Sequence, residues 1–556
     1  MNIETVAACL GDIRSGLSEP AARTTILAEL LRGASADEIG PLVALCIGDL
    51  TAWKEPPFGD SDSPGILARS SGSSPTVRSV YSTMAACQRA TGAAREYLLG
   101  DLVGGLDETA AGWIQRLVAG RLAEVTTDIL VLEALRLSRR DEDLALEDLK
   151  KAYSARANLP HIAHLLLTGG PVTIRGLLPK PGIAVYPESQ TRRRQTELAE
   201  IWASFGACFV HPKLDGFRCQ IHKDGERIWL FVGRNMREWT DRLPAVALAA
   251  REQIDAREAI LESEVIPVDP ESGVTLPRRN FHRTSDHLAI VWDALYLDGH
   301  DLRHRPYAER AIERARVIRE KKRPWRIRTS CDSLITSEDE LHTYFNKRNE
   351  EGDEGIIIIR PVARYSASLG GVRSIDRIKV KAVDPIDAVV VGYDTVGRGG
   401  AAAKVVFHLA VYDRNLDAFV TIGRSASGLT QTERNELFEK CQPLRVDRHS
   451  RVLLAGPVQQ QVAPKIVVEL EVDYVLPSKD CSCGLHRVGE GLGAQHIRFV
   501  PGGLREDKGP EQATEVEEFL QIRREPASPF ISVRTKPDMH GLQLPLFSEL
   551  PGDATP

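Results

Sequence analysis

The chain has 556 residues, room for three or four domains that each bury a core, and its 42% hydrophobic and 27% charged content is ordinary for a globular protein. A formal net charge of -6 does not mark it as a nucleic-acid binder and does not exclude one, since large binders gather Arg and Lys on one face and balance them elsewhere. Nine scattered cysteines, an acidic Glu4 where a leader would be basic, and no apolar run of the roughly 18 residues that span a bilayer argue against secreted and membrane classes; we expect a cytoplasmic protein.

Residues 1–171 read as helices. "AARTTILAELLRGAS", "AAREYLLGDLVGGL" and "TAAGWIQRLVAGRLAEVTTDILVLEALRLS" space apolar residues three and four apart. The Ser-, Gly- and Pro-rich "PPFGDSDSPGILARSSGSSPTVRS" interrupts them and reads as a surface loop. Beyond Pro171 short β-branched runs appear ("RIWLFVG", "LAIVWDALYL", "GIIIIR", "RIKVKAV"), which fits a mixed α/β domain over 172–384. "DAVVVGYDTVGRGGAAAKVVFHLAVYD", "AFVTIGR" and "KIVVELEVDYVL" then read as a small antiparallel barrel over 385–525, and 526–556 as a flexible tail.

The chemistry centres on "HPKLDGFR", where Lys213 is followed by Asp215, Gly216 and Arg218. A lysine attacks phosphorus only when neutral, and the charge that then develops needs a metal on carboxylates and cations aimed at phosphates. The chain supplies both. Residues two apart on a strand share a face, so "LESEV" presents Glu262 and Glu264 together, and "RIKVK" presents Lys379 and Lys381. "EGDEGIIIIRP" sets Glu354 at the mouth of an apolar strand. Singly, each of these is more often a solvated surface feature than a site. The ordered set is not.

That set resembles the ATP-dependent DNA ligases and, in "KLDGFR", the mRNA capping enzymes. "FVGRNMREWTDRLP" is similar to the next ligase motif with its arginine at Arg234, "IVWDALYLDGHDLRHRPYAER" to the one whose aromatic, here Trp292, stacks on adenine, and "RFVPGGLREDKGPEQAT" to the last, with Arg505, Asp507 and Lys508. The resemblance covers about residues 172–515, and "REYLLGDLVGGL" resembles the DNA-binding domain of archaeal and eukaryotic replicative ligases.

It implies a multidomain protein: an all-α N-terminal DNA-binding domain, an α+β nucleotidyltransferase (adenylation) domain and a β-barrel OB-fold, encircling nicked double-stranded DNA as a monomer. It further implies ATP and Mg²⁺, with Lys213, Asp215, Arg218, Lys379 and Lys381 catalytic. Glu264 and Glu354 would hold the metal or the ribose. Arg218 and Arg234 would contact nucleotide or nick phosphate, and Arg505, Asp507 and Lys508 would close over ATP. The alternatives are an RNA ligase or capping-type transferase, and a nick-binding scaffold with weakened chemistry.

Four departures stand out. His211 replaces a glutamate that commonly contacts the adenine amino group, and Glu262-Ser263 replaces Asp-Gly. Ile359 stands where a lysine is expected, so Arg360 could serve only if the strand bulges there. Arg377 replaces an aromatic. Elsewhere "CSCGLHR" (Cys481, Cys483, His486) lacks a second cysteine pair and reads as a loop; "VGRGGAAAK" reads as a hairpin; Arg192, Arg193 and Arg194 read as a helix start that is either solvated or near phosphates. The tail peptide Gln543-Leu544-Pro545-Leu546-Phe547 resembles the one by which bacterial proteins bind the sliding clamp, with Leu546 and Phe547 entering the pocket; the alternative is a tail packed on its own domain. A nucleoid-associated protein of the cytoplasm is expected.

Overall fold

Helical periodicity at the N-terminus folds as the sequence predicts. The computed structural model describes residues 1–14, 20–48, 75–90, 92–104, 106–118, 127–139, 144–269, 275–276, 278–284, 286–319, 326–351, 353–381, 384–396 and 404–522. Residues 49–74, which hold most of the polar interruption, the glycine-rich 397–403 and the tail with its clamp-type peptide lie outside these. The end of the interruption is not loop: Thr76 caps the helix Val77–Arg89, its hydroxyl accepting from the Ser79 amide at 3.2 Å. Ile3, Leu27, Leu42, Val80, Trp113, Leu132 and Ile162 bury one apolar cluster among the helices. The helix Leu159–Arg175 kinks at Gly170 (φ 68), beside Pro171. No helix among the described residues is long and apolar enough to cross a membrane.

Two mixed sheets follow. A five-stranded sheet runs Gln190–Arg194, Ser374–Lys381, Gly355–Ile359, Cys208–Pro212, Ser333–Ile335 in spatial order. A seven-stranded sheet is built around Phe217–Asp224, Glu258–Pro267 and His287–Leu297. The isoleucine run of Gly355–Ile359 is buried on both faces: Ile356 and Ile358 enter one apolar cluster, Ile357 and Ile359 another. The chain passes from the first sheet to the second between Pro212 and Phe217, so Lys213 sits at the crossing.

Arg192, Arg193 and Arg194 do not begin a helix. They are extended, pairing in parallel with Lys379, Val380 and Lys381 so that Arg192 faces Lys379 and Arg194 faces Lys381. Tertiary pairing overrides the local pattern, and helical structure starts after them, with a 3-10 turn over Gln195–Glu197 and then the α-helix Leu198–Phe205.

A third sheet holds Asp384–Val396, Lys404–Asp413, Ala418–Ser425, Gln460–Val472 and Arg498–Leu504. Val396 pairs antiparallel with Lys404 across the glycine-rich segment, as a hairpin requires. Phe407, Leu409, Val468, Leu470, Phe499 and Phe519 fill its core.

Candidate active site

Two glycines bring three chain segments into contact around Lys213. A Cβ on Gly216 would lie 2.4 Å from the Val265 carbonyl and 3.0 Å from Glu264 Cγ, so only glycine lets the turn press against that strand. Gly355 has φ +145, and a Cβ there would lie 2.1 Å from the Val380 carbonyl. Its own carbonyl accepts the Lys213 amide at 2.9 Å.

The side chains then converge. Lys213 Nζ is ion-paired to Glu354, whose other oxygen takes Lys381 Nζ at 2.5 Å. Burial would raise the Glu354 carboxyl, but Lys213 and Lys381 outweigh it and bring it to about 2. Lys379, two residues before Lys381, is lowered to about 8 by burial and then by Lys213 and Lys381. Glu264 accepts no hydrogen bond among the described residues, and burial raises it to about 7 against the pull of Lys213 and Arg218. Asp215 is raised by burial and by Glu354. His211, Lys213, Arg218, Arg234, Glu264, Trp292 and Lys379 line one cavity of about 490 Å³.

The floor is a buried ionic lattice. Glu262 and Glu264 share a face, and Arg218 grips Glu262 with Nε at 2.9 Å and Nη2 at 2.6 Å. Tyr365 donates to the same carboxylate at 2.6 Å. Arg377 lies 2.7 Å from Asp293 and 3.0 Å from Glu188, and Arg310 holds Asp293 from its other side at 2.8 and 2.9 Å. The guanidinium carbons of Arg218 and Arg377 lie 5.2 and 4.8 Å from the Trp292 ring. His211 is 5% exposed; Nδ1 lies 3.0 Å from the Pro212 carbonyl, Nε2 has no partner among the described residues, and burial lowers the ring's pKa.

The structure settles the position of Arg360 and places two further groups of residues. The strand Gly355–Ile359 pairs without a bulge, Ile359 against Arg377, so Arg360 turns away to Asp376 at 3.0 Å and does not stand in for the missing lysine. Arg505 and Lys508 stay on the third sheet, paired with Asp507 and Asp387, and do not line the cavity. Cys481 and Cys483 are buried, and no group of three metal-ligating side chains occurs among the described residues. Sequence reading passed over Glu188, Asp293 and Tyr365. Asp293 adjoins Trp292 in the same strand and was visible; Glu188 lies in no motif and gave no signal.

Residues 193–381 match the family described as ATP dependent DNA ligase domain. A DNA ligase of Pyrobaculum arsenaticum is 31% identical over 502 residues, 85% of this chain and 83% of that one. The chain belongs to the ATP-dependent DNA ligase family. The ligase is also 32% identical over 476 residues to a DNA ligase of Aeropyrum pernix, across 80% of this chain and 77% of the relative. It shares its fold with the solved structure Pmar-Lig_PreS3 at 13% identity and a TM-score of 0.52, over 89% of this chain and 98% of that one. An enzyme of this family uses ATP to seal nicks in duplex DNA, and the capping and RNA-ligase readings give way to that one.

Proposed function

We propose that Lys213 carries AMP between ATP and DNA. Neutral Nζ attacks the α-phosphorus, the bond to the bridging oxygen breaks, and pyrophosphate departs with the electron pair and the amine's surplus proton. A 5′-phosphate oxygen at the nick then attacks the same phosphorus, the nitrogen takes a proton from solvent, and the P–N bond breaks so that Lys213 leaves as the amine. Finally the 3′-hydroxyl attacks the 5′-phosphate and AMP is expelled. The observation that carries this reading is the chain Lys213–Glu354–Lys381 at the edge of a cavity lined by Lys379, Arg218 and Arg234. Those cations suit a phosphate whose charge rises in the transition state, and phosphate binding would restore full charge to Lys379.

Glu264 fits a metal: its carboxylate faces the cavity unbonded, and burial raises it to about 7 even against Lys213, Arg218 and Arg278. Glu264 and Glu354 would hold Mg²⁺, since this ion takes one or two carboxylates plus substrate phosphates. Bound there, the ion would neutralise charge on the transferring phosphate. Trp292 would take the adenine. His211 would replace the usual glutamate as an acceptor: with Nδ1–H donated to the Pro212 carbonyl, Nε2 offers a lone pair to the 6-amino group.

We read 1–171 as the DNA-binding domain, 172–384 as the adenylation domain and 385–525 as an OB-fold that must turn before Arg505, Asp507 and Lys508 can reach pyrophosphate. A monomer encircling the nick, with residues 543–547 tethering it to a sliding clamp, completes the reading; deleting those five residues should abolish clamp pull-down. Incubation with α-labelled ATP and Mg²⁺ should give covalent protein labelling, stable to denaturing gel and to alkali but released by warm acid as a P–N bond requires, that Lys213→Ala abolishes. Labelling that survives the substitution would refute the nucleophile.

A further inference from the structure

Two arginines beside the cavity are held by carboxylates for which the chemistry has no use. Arg192 and Arg194 lie two apart on the edge strand, share a face, and stand opposite Lys379 and Lys381, so four cations form one block on the sheet. The neutralising charge comes from far along the chain. Glu471 takes Arg192 Nη2 at 2.9 Å and Arg194 Nε at 2.9 Å. Asp473 takes Lys381 Nζ at 2.6 Å and lies 3.0 Å from His496 Nδ1.

Three features make this contact exchangeable. The Glu471 and Asp473 side chains are 7% and 4% exposed, and an ion pair so buried gains little net stability, because desolvation offsets its attraction. The buried apolar clusters of 384–522 include no residue from the catalytic sheets, so charge dominates the junction. And Lys381 already gives two of its three donors to Glu354 and Asp473, so a substrate phosphate drawn to the same cation competes with Asp473 for its charge. A duplex, with about one negative charge per 1.7 Å of axis, offers the block the same charge more densely.

We propose that Arg192 and Arg194 contact the sugar-phosphate backbone of the DNA substrate, and that Glu471 and Asp473 occupy this contact and Lys381 until the backbone displaces them. The proposal rests on the nick-sealing reading for the identity of the polyanion. It makes the acidic pair a clasp, closed in the free enzyme and opened by the duplex.

The test is binding of a fluorescent nicked duplex bearing a 5′-phosphate, without ATP, across about 50 to 200 mM salt. Arg192→Ala with Arg194→Ala should flatten the slope of log affinity against log salt by about 1.8, two phosphates at about 0.9 each, and the double lysine variant should keep it. Glu471→Gln with Asp473→Asn should bind the duplex tighter, on the order of threefold or more at fixed salt. An unchanged slope in the alanine pair, or binding by the Gln/Asn pair no tighter than wild type, overturns the proposal; if the alanine pair does not fold, the Gln/Asn pair decides alone. Labelling of the wild type by ATP without DNA is measured alongside. Its failure would sink the ligase reading itself, whereas normal labelling with an unchanged slope sinks only the clasp.

Discussion

At Arg377 a guanidinium stands where the family pattern leads one to expect an aromatic, and its surroundings explain why it is tolerated. It is 1% exposed, and it is shared between Glu188 and Asp293. Glu188 is pushed up by burial, and Arg377 is the main charge opposing that push. Arg377→Met should therefore cost about 3–5 kcal/mol in urea unfolding, the usual toll of removing one partner of a buried pair. A loss below 1 kcal/mol, on the scale of an exposed pair, would show that Arg310 and solvent suffice. Glu264 makes a second case, with the opposite sign. Its folded-state pKa, about 7, lies above its ordinary 4.5, so the folded protein binds the proton more tightly. The stability this contributes is full below about 4.5 and is lost as pH rises through about 7. Thermal melts of Glu264→Gln without Mg²⁺ should thus gain on wild type between pH 5 and 7 and run parallel to it above; a constant difference would place Glu264 in a wetter site than its burial implies.

Elements meet here through glycines, and the meeting can be tested against a control. Gly355→Ala puts a methyl 2.1 Å from the Val380 carbonyl at φ +145, whereas Gly225→Ala, at φ +56, meets nothing within 4 Å. The second should cost about 1 kcal/mol of left-handed strain, and the first several times more, with loss of ATP labelling as Glu354 shifts off Lys213. Equal melting temperatures for the two would mean that the strand yields. These contacts also mark what was legible in the sequence. Glu264, Lys379 and Lys381 could be placed because spacing of two fixes a strand face, and Lys213 and Glu354 because their motifs resemble those of the family. "GIIIIR" could be read as a strand, but not as one buried on both faces, since that depends on helices elsewhere in the chain. Arg192–Arg194 were misjudged because a parallel ladder joins residues nearly two hundred positions apart in sequence, beyond any local pattern. The role of Arg360 hinged on a bulge, which is a property of two strands and not of one. Glu188 and Glu471 belong to no motif, and only folding brings them to the site.

Across the whole molecule the two junctions with the catalytic sheets are built differently. The N-terminal helices join by apolar packing: Leu177, Tyr186 and Leu369 lie against their core, and Tyr153 and Tyr186, with rings 5.1 Å apart, both donate to Asp128. Tyr186 also lines the cavity beside Lys213, so that junction forms part of its wall. The third sheet joins through Arg192, Arg194 and Lys381 paired with Glu471 and Asp473. A ligase that must admit a duplex and later release it needs one junction that holds and one that opens, and ionic pairs open without exposing apolar surface to water. Salt alone should act weakly on the closed form, because a Debye length shortened from about 8 Å to about 3 Å screens exposed charges far better than buried ones. Removing the charges should act strongly. In small-angle scattering of the DNA-free protein, Glu471→Gln with Asp473→Asn is expected to raise the radius of gyration at physiological salt by more than 1 M NaCl raises that of the wild type. Asp128→Asn, at the other junction, should lower the melting temperature and leave the radius unchanged. If the charge variant stays as compact as wild type, apolar contact rather than charge holds the third sheet in place, and the clasp is not what keeps the enzyme closed.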